Sequence, residues 1–171
     1  MTMRAEKLVA ISQFLPAFPK LFDWIHDRKD NVTVGAGELV ELVRYEDVRG
    51  LLLDATLKTT SDEMVIRFTI DTITTEVVPK VLWQMGLGKE ERRNFRIIRY
   101  DPDYKIYIGG LYPDPPYPFT ESISVSVLNP TSEDIVVSWY IYFLQYTEEL
   151  LAMIDEMMRE NEEKEGGGVR A

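Results

Sequence analysis

Ser122-Ile-Ser-Val-Ser-Val-Leu-Asn-Pro-Thr-Ser-Glu-Asp-Ile-Val-Val-Ser-Trp-Tyr-Ile-Tyr-Phe143 is the stretch that decides the fold. Ile123, Val125 and Val127 alternate with Ser122, Ser124 and Ser126. Successive side chains of a strand point to opposite faces, so this pattern makes one core face and one wet face. From Ile135 to Phe143 the same period sets Val137, Trp139, Ile141 and Phe143 against Ser138, Tyr140 and Tyr142. Between the two runs, Asn129-Pro130-Thr131-Ser132 has the residues of a hairpin-type loop.

Upstream lies Gly109-Gly-Leu-Tyr-Pro-Asp-Pro-Pro-Tyr-Pro-Phe119, whose four prolines remove four amide donors and favour extended geometry. It is expected to be neither helix nor central strand. Phe95 to Tyr100 and Tyr104 to Ile108 read as strands around a tight reversal at Asp101-Pro102-Asp103. Pro79 to Gly86 reads as a short helix, with proline near its start and Gly86 or Gly88 at its end. Val65 to Ile70 places Ile66, Phe68 and Ile70 on one face. After Gly50, Leu51, Leu53, Ala55 and Leu57 alternate with Leu52, Asp54, Thr56 and Lys58. With Ser61-Asp62-Glu63 as the turn, these two strands are expected to form a hairpin. Leu39 to Val43 reads as a further strand, after a turn bracketed by Gly35 and Gly37.

Both ends change to a helical period. Leu8, Ile11 and Leu15 share a helical face until Pro16 and Pro19 break it. Phe18, Leu21, Phe22 and Ile25 supply a second short apolar face, a further helical turn running to about Lys29. At the other end Thr147 can cap a helix whose first turn holds Glu148 and Glu149. Leu150, Leu151, Ile154, Met157 and Met158 form its apolar stripe, about two heptads long and short for an independent coiled coil. Residues 159–171 run into charge and glycine, a tail expected to fray.

Roughly seven or eight short strands, with no strand–helix–strand rhythm, predict a mainly β fold. The expectation is an antiparallel β-sandwich or jelly-roll-like domain with N-terminal and C-terminal helices. Its parts are a helical leader or arm over residues 1–31, the β domain over 32–146, and an amphipathic helix with a charged tail over 147–171.

Composition narrows the function. The 171 residues are 45% hydrophobic, enough for one core, and carry a net charge of −10. The densest basic cluster, Lys89, Arg92, Arg93, Arg96 and Arg99, is interleaved with Glu90 and Glu91. A nucleic-acid partner needs a basic surface to displace phosphate counterions, so none is expected. With no cysteine there is no disulfide, thiolate nucleophile or zinc–thiolate site. No run approaches the ~18 apolar residues of a membrane span, and no signal-peptide core precedes Pro16. Abundant Glu, Lys and Arg without cysteine follow the hyperthermophile trend, whereas seven methionines run against it.

No catalytic, metal or cofactor site is expected. His26 is the single histidine, too few for a histidine metal site, and reads as a surface or interface residue. Asp71, Asp101 and Asp103 sit at turns, where aspartates bond their own backbone; Pro102 and the lack of further spaced oxygens argue against calcium. Neither glycine pair has the setting of a phosphate loop. Tyr112, Tyr117 and Phe119 have two readings: rigid aromatics able to stack on a carbohydrate or a partner, or side chains tucked inward where the loop crosses the domain. The helical stripes also have two readings, docking in cis or contact with another chain. Contact residues in the second are Leu8, Ile11, Phe22, Trp24, Leu150, Leu151, Ile154, Met157 and Met158.

Gly35-Ala-Gly-Glu-Leu-Val-Glu-Leu42, Gly50-Leu-Leu-Leu with its strand ending Leu57-Lys-Thr, and Ile66-Arg-Phe-Thr-Ile-Asp71 form a pattern of strand openings. With Tyr100-Asp101, Pro118 to Asn129 and the aromatic strand to Phe143, it resembles β-sandwich structural proteins of tailed bacteriophages and archaeal viruses. The resemblance covers residues 34–145; where such domains carry glycine after the aspartate, Thr72 stands here. It implies a non-enzymatic virion or prophage component, located in the virion or in the host cytoplasm during assembly. Its partners would be further copies or other virion proteins. A carbohydrate- or ligand-binding module using residues 109–119 is the alternative.

Overall fold

The structure, a computed structural model, describes residues 21–86 and 95–166. Leu8 and Ile11, and with them the expected first helix, lie outside the described residues. Trp24–Leu144 form one compact unit, and among the described residues Leu21–Asp23 and Gln145–Gly166 belong to another.

The order of elements is β1 (Phe22–Val34), β2 (Leu39–Glu46), β3 (Gly50–Thr59), β4 (Val65–Ile70), β5 (Ile73–Val77), α1 (Pro79–Gln84), β6 (Phe95–Asp101), β7 (Ile106–Leu111), β8 (Tyr117–Phe119), β9 (Ser122–Leu128), β10 (Ile135–Tyr146) and α2 (Glu148–Gly166). The protein is mainly β, with two antiparallel sheets and two helices among the described residues. Sheet A runs β1-β10-β3-β7-β6, with β8 also paired to β3; sheet B runs β2-β9-β4-β5.

The alternating runs behave as their period demands. Ile123, Val125 and Val127 of β9, Ile66, Phe68 and Ile70 of β4, and Val137, Trp139, Ile141 and Phe143 of β10 are all buried. They join one apolar cluster fed by both sheets. Cross-sheet ring contacts fix its packing: Tyr45 meets Phe143 at 5.0 Å and Phe68 meets Phe95 at 5.5 Å. In β3 the alternation slips once. Leu52 is buried, Leu53 and Asp54 are both half-buried, and Ala55, Leu57 and Thr59 are buried again. Leu52 is therefore a core residue, and Asp54 and Thr56 stand on the opposite side from Ala55 and Leu57.

Several expectations need correction. The segment from Phe22 to about Lys29 is strand β1, not a helical arm, so the boundary at residue 31 falls inside a strand. Phe22 and Trp24 also fit a period of two, with Ile25 on the opposite, core-facing side, and pairing beside the aromatic β10 decides between the periods. β3 and β4 do not form a hairpin, because they belong to different sheets. Thr60 remains tied to β10 through its N–H to the Val136 carbonyl (3.1 Å) and its hydroxyl to the Val136 N–H (3.0 Å). Met64 then drops into the core, and Val65 pairs with Leu128. Residues 129–132 likewise pass from sheet B to sheet A. Gly109, Gly110 and Leu111 lie in a central strand, contrary to the reading of 109–119 as wholly irregular, because glycine lets β7 approach β3 and β6 closely.

The true hairpins are β6–β7 and β4–β5. The second turns on Asp71-Thr72, with Asp71 at φ +53°. That strained conformation is held by the Asp71 carboxylate, which accepts from the N–H groups of Thr120 (3.0 Å), Glu121 (2.7 Å) and Ser122 (3.1 Å). Burial pushes the Asp71 carboxyl up, but these donors outweigh it and hold it below the usual value.

Candidate functional site

The outer face of sheet A carries a chain of aromatic and polar contacts across strands far apart in sequence. Trp24 on β1 is 53% exposed and stacks on Tyr142 of β10, with centroids 5.4 Å apart and planes at 27°. His26 stands edge-on to Tyr140 at 5.5 Å and to Tyr142 at 6.2 Å. The Tyr140 hydroxyl donates to Asp54 Oδ2 at 2.7 Å, and the Thr56 hydroxyl donates to Asp54 Oδ1 at 2.7 Å. Tyr112 lies 3.0 Å from Thr56 Oγ1. With the Thr56 proton committed to Asp54, the Tyr112 phenol is the donor. The Arg96 guanidinium sits 4.5 Å over the Tyr112 ring, a cation–π contact that ends the row.

The Tyr140–Asp54 pair has two relatives in the fold: Tyr45 donates to Asp27 at 3.1 Å and Tyr100 to Asp62 at 2.5 Å. A phenol that donates to a carboxylate loses that bond on ionising, so each pair resists deprotonation. For Tyr100 the bond to Asp62 is the first cause and takes the phenol up to about 12. Burial leads for Tyr45 and Tyr112, each pushed up to about 12. Burial also raises Tyr107 and Tyr146, and burial with the Asp54 bond raises Tyr140. These phenols are raised above their unfolded value near 10, so their contribution to stability is complete below about pH 10. It is lost as the pH climbs through the folded values. Spectrophotometric titration at 295 nm is expected to find these six tyrosines protonated past pH 10, ionising with the loss of fold. Full ionisation of all nine tyrosines by pH 10.5 in the folded protein would contradict the pairs.

The expected contact and loop residues separate. Phe119 is 1% exposed and packs edge-on against Phe143 at 5.5 Å, so its ring lies in the core. Tyr112 is half-buried in the row just described, and Tyr117 is exposed in β8, opposite Leu52. Phe22 meets Tyr146 edge-on at 5.7 Å. In α2 the Thr147 hydroxyl accepts from the Leu150 N–H at 3.4 Å, the cap its sequence calls for. Leu150, Leu151 and Ile154 are half-buried, while Met157 and Met158 are 55% and 59% exposed. The apolar stripe is thus partly covered in its first turns and open in its later ones.

The outer face of sheet B is different in kind. Ser122, Ser124 and Ser126 floor a trough of about 410 Å³, walled by Glu41, Arg44, Arg67 and Glu76. Its guanidinium groups are already paired, Arg44 with Glu41 and Glu46 and Arg67 with Glu76. Among the described residues no three His, Asp or Glu side chains are grouped to hold a metal ion, and no helix is long and apolar enough to cross a membrane.

Asp54 and Asn129 are the two organising polar residues that sequence reasoning missed. Asn129 is fully buried, and its two Nδ2 hydrogens are shared among the carbonyls of Val34 (3.1 Å), Gly35 (3.1 Å) and Glu133 (2.8 Å). Its only sequence signal is an asparagine before proline, which marks a turn and not a hub. No protein-family model matches this chain, and neither does any curated protein.

Proposed function

We propose that this chain is a non-enzymatic structural protein of a viral or prophage particle, built as a jelly-roll β-sandwich that associates with further copies through its terminal helices. Strand order is the observation that carries the reading. The rows β1-β10-β3-β7 and β2-β9-β4-β5 interleave early strands with late ones. An eight-strand order of this kind matches that of two Greek keys and supports the jelly-roll reading, an architecture of viral capsid and lectin domains. β6 and β8 are additions to sheet A. The link from this architecture to a virion is an analogy of fold, joined by the resemblance of the strand openings.

The exposed Met157 and Met158 support association through α2, since methionine surfaces adapt to apolar partners. Size-exclusion chromatography with light scattering tests it. The parent chain is expected to run as an oligomer, and the full-length Met157→Glu, Met158→Glu variant as a smaller species. A parent that stays monomeric at every concentration contradicts helix-mediated assembly.

The open Trp24–Tyr142 stack favours a second reading, a carbohydrate-binding module of the lectin kind. It moves the contact from the 109–119 loop to the outer face of sheet A. Loss of glycan-array retention in Trp24→Ala supports it; no retained glycan with the parent rejects it.

A further inference from the structure

Among the described residues four strands end the main rows of the two sheets, beside the three-residue β8 with Pro118 at its centre, and three of those four edges are blunted against pairing with another chain. β1 carries Asp27-Arg28-Lys29-Asp30 followed by Asn31 at φ +57°. β6 is bulged between Ile97 and Arg99 and β2 between Glu41 and Val43. Charge, a left-handed residue and bulges are the devices that keep edges from pairing. β5, Ile73-Thr-Thr-Glu-Val77, has none of them. It pairs with β4 in unbroken register from Ile70↔Ile73 to Ile66↔Val77, and its one charge, Glu76, is bound to Arg67.

The register fixes which backbone groups β5 offers. Ile70 and Ile73 flank a two-residue loop, so they exchange hydrogen bonds across the hairpin. Hydrogen-bonded and non-hydrogen-bonded pairs then alternate. Ile73, Thr75 and Val77 therefore direct their amides to β4, and Thr74 and Glu76 direct theirs away from it. Among the described residues no hydrogen bond outside the ladder reaches those two outward amides. Ile73 to Glu76 are all exposed, Ile73 by 61%.

We infer that β5 is a self-complementary edge that pairs antiparallel with β5 of a second copy about a two-fold axis at Thr75, joining two B sheets into one. In that register Thr74 exchanges both hydrogen bonds with Glu76 of the other copy. Thr75 faces its own counterpart in a non-hydrogen-bonded pair. Ile73 comes beside Val77 of the other copy, which covers the most exposed apolar residue of the strand. No like charges oppose one another, because Glu76 meets threonine and keeps its Arg67 partner. Only two residues per strand exchange hydrogen bonds, and the contact is smaller than the about 1,200 Å² of a stable interface. Pairing is accordingly weak and concentration-dependent. It is separate from the helix-mediated association and stands if that association fails.

The absence of cysteine makes the test clean. Thr75→Cys places two thiols across the axis, where a non-hydrogen-bonded pair has Cα atoms about 4.5 Å apart, inside the disulfide range. The variant is made in the Met157→Glu, Met158→Glu background, so that helix contacts do not supply the proximity. Under mild oxidation Thr75→Cys is expected to form a covalent dimer at least tenfold faster than Thr72→Cys, an exposed control off the axis. Adding Ile73→Lys to Thr75→Cys is expected to bring the rate down to that of the control. Equal rates for Thr75→Cys and Thr72→Cys, or no effect of Ile73→Lys, would overturn the pairing.

Discussion

Asn129→Asp is expected to cost about 3–5 kcal/mol of stability at neutral pH, by the penalty for an unpartnered buried charge. For a chain of this size that is a fall in melting temperature of roughly 10 °C. The amide has no access to water, donates from Nδ2 to three carbonyls, and accepts at Oδ1 from the Thr131 N–H (3.0 Å) and hydroxyl (2.7 Å). Its own backbone completes the tie: Gly37 N–H donates to the Asn129 carbonyl at 2.9 Å, and Asn129 N–H donates to Glu38 at 2.9 Å. One residue thereby joins the β1–β2 turn to the β9–β10 passage. An aspartate keeps the shape but turns three attractive contacts into carboxylate facing carbonyl. Burial raises such a carboxyl, so the loss is largest above its folded pKa and shrinks as the pH falls toward 4. Asn129→Ala loses the same bonds without adding charge, and its smaller deficit should not depend on pH. Thermal melts of both variants at pH 4.5 and pH 7.5 check the magnitude and the sign. Equal losses for both variants at both values would show that a carboxylate at this position carries no buried-charge penalty.

Gly110→Ala is expected to abolish folding or to cost about 3 kcal/mol or more, the upper end of overpacking effects. A Cβ at position 110 would collide with the carbonyl oxygen of Ala55, its close neighbour on β3. Backbone on both sides leaves no room to yield, since β7 pairs with β3 through Thr56↔Gly110 and with β6 through Arg96↔Gly110. Next door, a Cβ on Gly109 would lie 2.7 Å from the Arg96 carbonyl oxygen and 2.6 Å from Ile97 Cδ1. Gly37 is the control, because nothing lies within 4 Å of its added Cβ and only its φ of +72° favours glycine. Gly37→Asn should cost under about 1 kcal/mol, as asparagine tolerates that conformation. Circular dichroism and urea melts separate the two, and a folded Gly110→Ala with near-parental stability would contradict the close approach of β7 and β3.

Much of the β content was legible because a period of two reports burial directly. β4, β9 and β10 were read with their buried faces correct, from Ile66 to Phe143. What period cannot report is the partner. Val65 to Ile70 alternates identically whether it pairs with β3 or with β9, so the Ser61-Asp62-Glu63 turn suggested a hairpin that does not exist. β5 escaped notice because Ile73 to Glu76 are exposed on both faces of an edge and therefore do not alternate. β1 is ambiguous in the sequence because Phe22 and Ile25 sit at helical spacing while Phe22 and Trp24 sit at strand spacing, and only the distant β10 decides. The row on sheet A was illegible for a related reason. Asp54 and Tyr140 are 86 residues apart, and Thr56 and Tyr112 are 56 apart, so no local spacing joins them. The helix cap at Thr147 was legible because capping is local.

The interleaved strand order is the claim on which the assembly reading rests, and a disulfide tests it directly. Lys58 on β3 faces Ile108 on β7, and both reach the outer surface of sheet A. Directly opposed strand residues lie within disulfide range. The Lys58→Cys, Ile108→Cys double variant is predicted to oxidise to an intramolecular disulfide in the folded protein, seen by peptide mapping. Failure to form that bond in a folded variant, with Lys58→Cys bridging to Arg67→Cys instead, would place β3 beside β4 and contradict the account.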